Sequence, residues 1–384
     1  MKKISIIIIL HLSIFFNSNL LSNEKDKVLK VGLLAPLVGE YKELGISMLY
    51  SLQLALEEIN DDNVFILPRD AGFNNKEKLN IAIEEIKQQG ADIIIGPISA
   101  NEFDEIKKFS DLVFISPSNI KPEFTNNTIS VGISLESQLL SITKFLKKRK
   151  KNKTIIMFPK NEYAELIENE LKGLDLNNFK VFKYSSNPEV LTGEIEKLTN
   201  YSQRKKNLEI RKKMFEDKED EESIKQMERL EQLYTLGKVN FDSVIIIDFG
   251  NSLKSVLSSL AYTDVDERSV LFATVNQWFD ETVFKEGSIK NLYFPSINMK
   301  QFKKYNETYF KTYDLKPDEI SILAYDALGL IYYVWNKNNG INSISDFYIK
   351  DKIKGKIGTF YFTDNKLLQD LKIYKIEDSK FKEY

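Results

Sequence analysis

Short apolar runs alternate with amphipathic segments from Val28 onward. The runs are rich in β-branched residues, which predicts strands at 28–35, 64–67, 92–95, 112–116 and 129–133. The segments between them carry apolar residues at helical spacing, which predicts helices at 48–60, 76–88, 102–109 and 135–149. Continuous apolar strands separated by helices are typical of a parallel sheet covered on both faces. We therefore expect an α/β unit with its own core.

A second set of alternating segments follows the basic run 147–153. Strands are predicted at 154–158, 180–184, 243–248, 270–273 and 291–294, and helices at 163–171, 300–312 and 318–335. The chain is then expected to end in a β pair formed by 358–363 and 371–376, with Asp364-Asn365 at the turn. We interpret the basic run as a solvated helix end rather than as an interaction patch. The pattern thus predicts a second α/β unit built on the plan of the first.

Residues 193–237 interrupt the second unit with a charged segment that has no strand pattern. Apolar residues recur at roughly helical spacing over 194–215 and in steps of three over 221–236. The acidic cluster 216–222 would form the turn between these two helices. A disordered charged segment is the alternative, and the regular apolar spacing favours a helical hairpin insert.

Residues 1–22 have the layout of a cleavable secretory signal. Lys2 and Lys3 precede an apolar stretch at 4–16, and small and polar residues follow it. The stretch has about 13 residues, fewer than the roughly 20 that a bilayer-spanning helix needs. We therefore expect export to the periplasm without stable membrane insertion. An uncleaved anchor and a buried N-terminal helix are the alternatives.

The side-chain inventory excludes several classes of chemistry. The sequence has no cysteine, and its one histidine, His11, lies inside the expected signal. Thiol nucleophiles, imidazole bases and most zinc, copper and iron sites are therefore excluded from the processed chain, and we expect no cofactor or metal. Without Lys2 and Lys3, 52 basic side chains face 56 acidic ones. This balance gives no reason to expect a nucleic-acid partner.

Three loops of the first unit directly follow predicted strands and carry small polar residues. They are 35–41, the loop with Ser99 and Ala100, and the loop with Ser116, Ser118 and Asn119. Ligands of doubly wound sheets gather at the carboxyl ends of strands, where hydroxyls and helix N-termini are presented. These loops can hold a carboxylate or another small group rich in acceptors. They can equally be helix caps and turns without a ligand.

Several segments, taken in order, resemble the leucine-binding-protein family of type I periplasmic binding proteins. The resemblance is carried by 31–60, by Ile94-Ile95-Gly96-Pro97, by 114–119, by 321–329 and by 355–364. It implies two Rossmann-like lobes joined by three crossings, near 131–134, 295–298 and 354–358. Lobe 1 would comprise 28–133 and 297–355, and lobe 2 would comprise 134–296 and 356–384 with the insert.

The same resemblance implies a ligand site between the lobes. In amino-acid receptors of the family, the two serine loops hold the α-carboxylate, which corresponds to Ser99-Ala100 and Ser116-Ser118 here. Tyr163 stands where an aromatic residue of the second lobe covers the ligand. The position expected to hold an acidic partner for the ammonium group has Asn276, a neutral residue, which weakens the case for amino-acid binding. Trp278 follows in the same loop, which would face the cleft, and it would either form an aromatic platform for a sugar or pack between lobes.

One branch of the family fits better than the amino-acid receptors. The charged helical segment, followed by 233–237 and 241–248, is similar to the alphaproteobacterial proteins called penicillin-binding protein activators. We therefore expect a non-enzymatic factor that contacts a murein synthase, with a cleft for a small polar ligand such as a peptidoglycan fragment or an amino acid. The alternative is the substrate-binding component of an ABC importer for branched-chain amino acids, with a permease as its partner.

A glycan hydrolase that uses only carboxylates is the remote alternative. Glu40, Asp70, Glu102 and Asp248 all lie near predicted strand ends and would have to supply a pair of catalytic carboxylates. Their spacing in the sequence sets no two of them together. Caps and solvated charges are the simpler interpretation.

Overall fold

Two α/β units, each built around a largely parallel sheet, form the framework of the computed structural model. The model describes residues 27–91, 93–120, 126–174, 179–275, 278–285, 290–363 and 366–384. The expected secretory signal and the turn at Asp364-Asn365 lie outside the described residues. None of the helices in these ranges combines the length and the hydrophobicity that a bilayer crossing requires.

The first sheet has the strand order β2-β1-β3-β4-β5, and its neighbouring strands are parallel. Its strands are β1 (Leu29–Ala35), β2 (Val64–Asp70), β3 (Ile93–Ile95), β4 (Val113–Ser116) and β5 (Thr128–Ser130). Its connecting helices are α1 (Lys42–Ile59), α2 (Lys76–Gln88) and the short α3 (Phe103–Ile106). One face packs on α1 and on helices from late in the chain, and the other face packs on α2. This explains why whole strands such as Ile93–Ile95 are apolar.

The second sheet has the order β15-β14-β10-β9-β8-β6-β7, with β14 and β15 antiparallel to their neighbours. Its strands are β6 (Thr154–Pro159), β7 (Phe179–Tyr184), β8 (Ser243–Ile246), β9 (Leu271–Thr274), β10 (Leu292–Ser296), β14 (Lys372–Glu377) and β15 (Lys380–Glu383). Its covering helices include α4 (Leu135–Lys148), α5 (Ala164–Lys172), α6 (Pro188–Leu198) and α9 (Gly250–Tyr262). Helices α4 and α5 bury one face of the sheet, and α6 and α9 bury the other.

The chain passes between the two units at three places. After β5 it leaves the first sheet and enters α4, whose Leu139 and Ile142 belong to a core of the second unit. After β10 it returns through α10 (Met299–Tyr313) and α11 (Ser321–Asn338), which pack on the first core. After β13 (Lys366–Asp370) it enters the second sheet again through β14. This last passage lies later in the chain than the expected crossing at 354–358.

The end of the chain differs from the predicted β pair. Strand β12 (Thr359–Thr363) pairs with β13 (Lys366–Asp370), and β11 (Ile353–Lys354) completes this small antiparallel sheet. The predicted partner of β12, the segment 371–376, instead forms β14 and pairs with β10 in the second sheet. The predicted pairing is therefore wrong, because β13, which the sequence pattern did not indicate, lies between the two segments and pairs with β12. Strand β15 was not predicted at all.

The charged insert is helical, but its first predicted helix is two helices. Helix α6 ends at Leu198, and α7 (Tyr201–Lys213) begins after Asn200, which has a left-handed backbone with φ of 51°. Thr199 donates its hydroxyl to the Ile195 carbonyl, which satisfies the end of α6. Helix α6 then belongs to the core of the second unit, and the hairpin proper consists of α7 and α8 (Glu221–Glu231).

Candidate functional site

The loops at the carboxyl edge of the first sheet pack on one another through the serine hydroxyls. Ser116 is fully buried, and its Oγ donates to the Pro97 carbonyl oxygen at 2.6 Å. The same Oγ accepts the backbone N–H of Ser118 at 3.1 Å, and the Oγ of Ser118 accepts the N–H of Ile120 at 3.2 Å. These hydrogen bonds fix the turn after β4 and join it to the turn after β3.

Ser99 and Ala100 lie at the start of a short 3₁₀ turn that leads into α3. The Ser99 Oγ donates to Oδ1 of Asn74 at 2.5 Å and caps the N–H of Asn101. The buried Glu102 accepts the N–H of Asn75 at 3.3 Å, and burial raises the pKa of this carboxyl despite the backbone hydrogen bonds that oppose the shift. The loops therefore lie next to one another, as their positions after neighbouring strands indicate. The hydroxyls of Ser99 and Ser116 hold these loops in place.

A cleft of about 670 Å³ lies between the two units, at the carboxyl ends of β6, β8 and β9. Doubly wound sheets bind ligands at this end. The first unit contributes residues from the loop after β4, from the first crossing and from the start of α11. The lining residues are Asn119, Ile120, Ile133, Leu135, Gln138, Pro159, Asn161, Tyr163, Leu166, Ile167, Ile247, Asp248, Phe249, Gly250, Val275, Trp278, Asp280 and Glu319.

Three of the predicted site residues line this cleft, namely Asn119, Tyr163 and Trp278. The side chain of Asn119 also accepts the N–H of Ile133 at 2.8 Å, so it fixes the first crossing. Ser99, Ala100, Ser116 and Ser118 are not among the lining residues. Asn276 lies outside the described residues. Ligand contact by any of the eight residues stays a prediction.

The charge of the cleft is the feature that sequence reasoning missed. Asp248, Asp280 and Glu319 line it, and no lysine or arginine is among its described lining residues. Packing around the Glu319 carboxyl raises its pKa, and the charge of Asp318 adds to this effect. Asp280 directly follows the aromatic pair Trp278-Phe279, and Glu319 precedes α11. Their sequence positions offered only weak signals, since neither of them follows a strand directly.

Asp248 is nearly buried and joins three segments of the second unit in the wall of the cleft. It accepts the Tyr184 hydroxyl and the Ser252 hydroxyl, each at 2.5 Å, and the N–H of Phe249 at 2.8 Å. Burial raises the pKa of Tyr184 well above its usual range, and the charge of Asp248 adds to the shift. These contacts bind the end of β7, the loop after β8 and the first turn of α9 into one rigid wall.

Trp278 and Phe279 join the two units beside the cleft. Both have left-handed backbone, with φ of 48° and 59°, which is costly for bulky residues. The ring centroids of Trp278 and of Phe302 on α10 lie 6.2 Å apart. Phe279 contacts Phe302 as well as Phe294 and Tyr374 of the second sheet. Trp278 therefore lines the cleft and packs between the units. A role as a sugar platform stays a prediction.

Of the four carboxylates considered for a hydrolase, only Asp248 lines the cleft. Asp70 forms an ion pair with Lys78 at 2.8 Å and accepts the N–H of Leu37, while Glu102 holds the loop at Asn75. The four residues therefore form no catalytic pair in the cleft.

Comparisons with known proteins agree with this architecture. A family model described as "Periplasmic binding protein" matches residues 28–170. No curated protein matches the chain. Among solved structures, the branched-chain amino acid transporter substrate-binding protein LivJ from Streptococcus pneumoniae, in complex with isoleucine, has a TM-score of 0.53 at 16% identity, and the match covers 93% of this chain and 98% of that chain.

Two further structures are similar over nearly the whole chain. A putative branched-chain amino acid ABC transporter protein from Rhodospirillum rubrum has a TM-score of 0.68 at 11% identity, covering 93% of this chain and 100% of that chain. The C-domain of LpoA from Haemophilus influenzae, a regulator of PBP1A, has a TM-score of 0.60 at 14% identity, covering 92% and 99%. These comparisons confirm the predicted two-lobed α/β fold and the resemblance to periplasmic binding proteins. The neighbours include both transport receptors and a regulator.

Proposed function

We propose that this chain, which has the fold of the two-lobed periplasmic binding proteins, is a non-enzymatic factor of the cell envelope that acts by contacting a murein synthase. It would act in the periplasm, as a regulator like LpoA rather than as an amino-acid receptor. The observation that carries it is the lining of the cleft, which has three carboxylates and, in its described part, no basic side chain.

This lining disfavours a free amino acid. An α-carboxylate in the cleft would meet the charges of Asp248, Asp280 and Glu319 without a cationic partner, and like charges in a partly dry site repel one another. The hydroxyls that hold such a carboxylate in the receptors correspond to Ser116 and Ser118, which bond to loop backbone here. The apolar residues and carboxylates of the cleft instead favour neutral or cationic groups.

The segment after α8 supports a role in protein contacts. Tyr234 is 79% exposed, the highest value among the large hydrophobic residues of the described ranges that are exposed. The two residues that follow it are fixed, because Thr235 accepts a hydrogen bond from Arg204 and Leu236 donates its N–H to the Arg204 carbonyl. An exposed tyrosine on a rigid backbone is the kind of residue that anchors protein interfaces, since little conformational entropy is lost on binding.

Binding of the purified chain to an immobilised bifunctional murein synthase from the same cell tests the proposal. We expect Tyr234→Ala to weaken this binding about tenfold, which corresponds to roughly 1.4 kcal/mol. The matched control is Tyr163→Ala, which removes another exposed tyrosine but lies in the cleft. Equal binding by wild type and Tyr234→Ala, or no binding by wild type, would contradict the proposal.

An importer receptor is the second candidate, and one observation favours it. The carboxylates of Asp280 and Glu319 can pair with the ammonium group of a ligand, which supplies the acidic partner that Asn276 does not. The similar structures of branched-chain amino acid transporter proteins share the fold on which this candidate depends. It requires in addition a partner for the α-carboxylate, and the described lining offers only backbone and neutral side chains.

A further inference from the structure

The helical hairpin carries two oppositely charged segments side by side. Residues 205–213 contain five cationic side chains and one carboxylate, and residues 216–222 contain six carboxylates and one lysine. We call residues 205–222, together with Ile224, the hairpin surface. Such a segregated charge pattern differs from the mixed pattern of an ordinary solvated helix.

The two charged segments do not neutralise each other within the molecule. Across the described chain, none of the five cations, which are Lys205, Lys206, Arg211, Lys212 and Lys213, forms an ion pair. Among the carboxylates of 216–222, the one ion pair found in the described ranges joins Glu221 to Lys225 on the same helix, at 2.6 Å. Both segments therefore present their charge to the outside.

The turn between the segments is held in shape by an aromatic residue. Arg211 lies over the ring of Phe215 at 4.9 Å, and Lys218 lies over the same ring at 5.1 Å. Asp220 then caps α8 by accepting the N–H of Ser223. The basic and acidic segments consequently keep a fixed relation to each other, which a specific interface requires.

Exposed apolar side chains lie among these charges. Ile210 is 45% exposed, Met214 is 53% exposed and Ile224 is 48% exposed. Helical spacing places Lys206, Ile210 and Lys213 on one face of α7. The hairpin surface thus combines apolar contact area with charges of both signs, as protein interfaces do.

We propose that the hairpin surface pairs with the same surface of a second copy of this chain. A two-fold axis would lay the basic segment of each copy against the acidic segment of the other, so that both contacts are attractive. The apolar residues Ile210, Met214 and Ile224 would then be covered in the middle. A second copy fits because the surface is complementary to itself, whereas a uniformly charged partner would attract one segment and repel the other. This pairing is independent of the proposed murein synthase contact, because Tyr234 lies outside the hairpin surface.

A charge-exchange experiment tests this proposal. The first variant, Lys206→Glu with Lys213→Glu, lowers the net charge of 205–213 from +4 to 0, and the second, Glu219→Lys with Glu222→Lys, changes the net charge of 216–222 from −5 to −1. Each variant alone therefore lacks one of the two opposing charges, and a mixed pair keeps one contact between a basic and an acidic segment. All four positions are exposed, so the fold should tolerate the changes. Sedimentation equilibrium should find wild type dimeric at about 100 μM, a concentration that saturates an interface of micromolar Kd. Each variant alone should be monomeric, and an equimolar mixture should form a heterodimer.

Salt provides the control within the same measurement. The wild-type dimer should dissociate as ionic strength rises to about 1 M, where the Debye length falls to roughly 3 Å. A wild type that is monomeric at low salt would overturn the proposal. So would variants that remain dimeric, a mixture that remains monomeric, or a dimer that salt does not affect, since each would place any interface elsewhere.

Discussion

Arg204→Ala should lower the free energy of unfolding of the second unit by about 3 kcal/mol, because it removes a buried cation that joins three parts of the chain. Arg204 is 7% exposed. Its guanidinium donates to the carbonyl oxygens of Gly237, Thr263 and Asp264 at 3.2, 2.9 and 2.7 Å, and to the Thr235 hydroxyl at 2.7 Å. Alanine leaves these acceptors without their donor and opens a cavity between the hairpin and the lobe.

Two measurements check this expectation, since a chain of two units need not unfold in one step. Urea unfolding should show the lower stability, and limited trypsin digestion should cut within 205–213 much faster in the variant. Lys206→Ala is the matched control, because this exposed residue lies on the same helix and its change should stay within about 0.5 kcal/mol. Arg204→Lys keeps the charge but not the planar fork, so it should recover only part of the stability. Identical unfolding and digestion of Arg204→Ala and Lys206→Ala would show that Arg204 does not anchor the hairpin.

Asp326→Ala should destabilise the fold by about 2 kcal/mol at pH 7, because it breaks a buried contact that ties α11 to the segment before β12. The Asp326 carboxylate on α11 accepts the N–H groups of Lys356 and Ile357 at 2.8 and 3.0 Å. Ile357 in turn accepts the N–H of Asn298 at 2.7 Å, which ties the passage after β10 to the segment before β12. Alanine leaves both of these buried N–H groups without an acceptor.

The pH dependence gives a sharper test of Asp326 than the loss of stability alone. Burial raises the pKa of Asp326 from 3.8 to about 6, although its two backbone hydrogen bonds and Lys356 oppose the shift. The folded state therefore binds this proton more tightly than the unfolded state. The resulting stabilisation is complete below pH 3.8 and is lost as the pH rises through about 6.

Wild type should consequently gain about 2 kcal/mol relative to Asp326→Ala as the pH falls from 7 to 4. Glu58, which also acts on Asp326, is present in both proteins, so its own titration cancels in the difference. Urea unfolding of both proteins across this range measures the gap. A difference in unfolding free energy that stays constant between pH 7 and pH 4 would rule out the shifted pKa.

The sequence predicted the framework because strands of a parallel sheet that is buried on both faces consist almost entirely of apolar residues. Strands such as β6 and helices such as α2 were predicted to within two residues of their bounds. The errors arose where the pattern of apolar residues does not mark the end of an element. The left-handed backbone of Asn200 ends a helix, and the spacing of apolar residues does not reveal such a conformation. The short strands β13 and β14 follow each other with almost no turn residues between them, so their boundary could not be recognised.

The site was less predictable for a different reason. Position after a strand correctly identified the loops of Ser99 and Ser116, but the direction of a hydroxyl depends on acceptors far away in the sequence, such as Pro97 for Ser116 and Asn74 for Ser99. The charge of the cleft comes from Asp280 and Glu319, which tertiary folding brings together from separate segments. Of these three cleft carboxylates, only Asp248 lies near the end of a predicted strand, where the sequence offers it as one of four candidate catalytic carboxylates; the structure shows it accepting the hydroxyls of Tyr184 and Ser252.

The central claim is that the cleft disfavours a ligand carboxylate, and fluorescence tests it most directly. The sequence has two tryptophans, so Trp335→Phe leaves Trp278 in the cleft as the single reporter, and Trp278→Phe is the matched control that should stay silent. The variant should be titrated with leucine and with isopentylamine, which has the same apolar body and ammonium group but no carboxylate. We predict that isopentylamine changes the emission of Trp278 at a concentration at least about tenfold lower than leucine does. Saturable binding of leucine that is tighter than that of the amine would contradict the claim and would identify the chain as an amino-acid receptor.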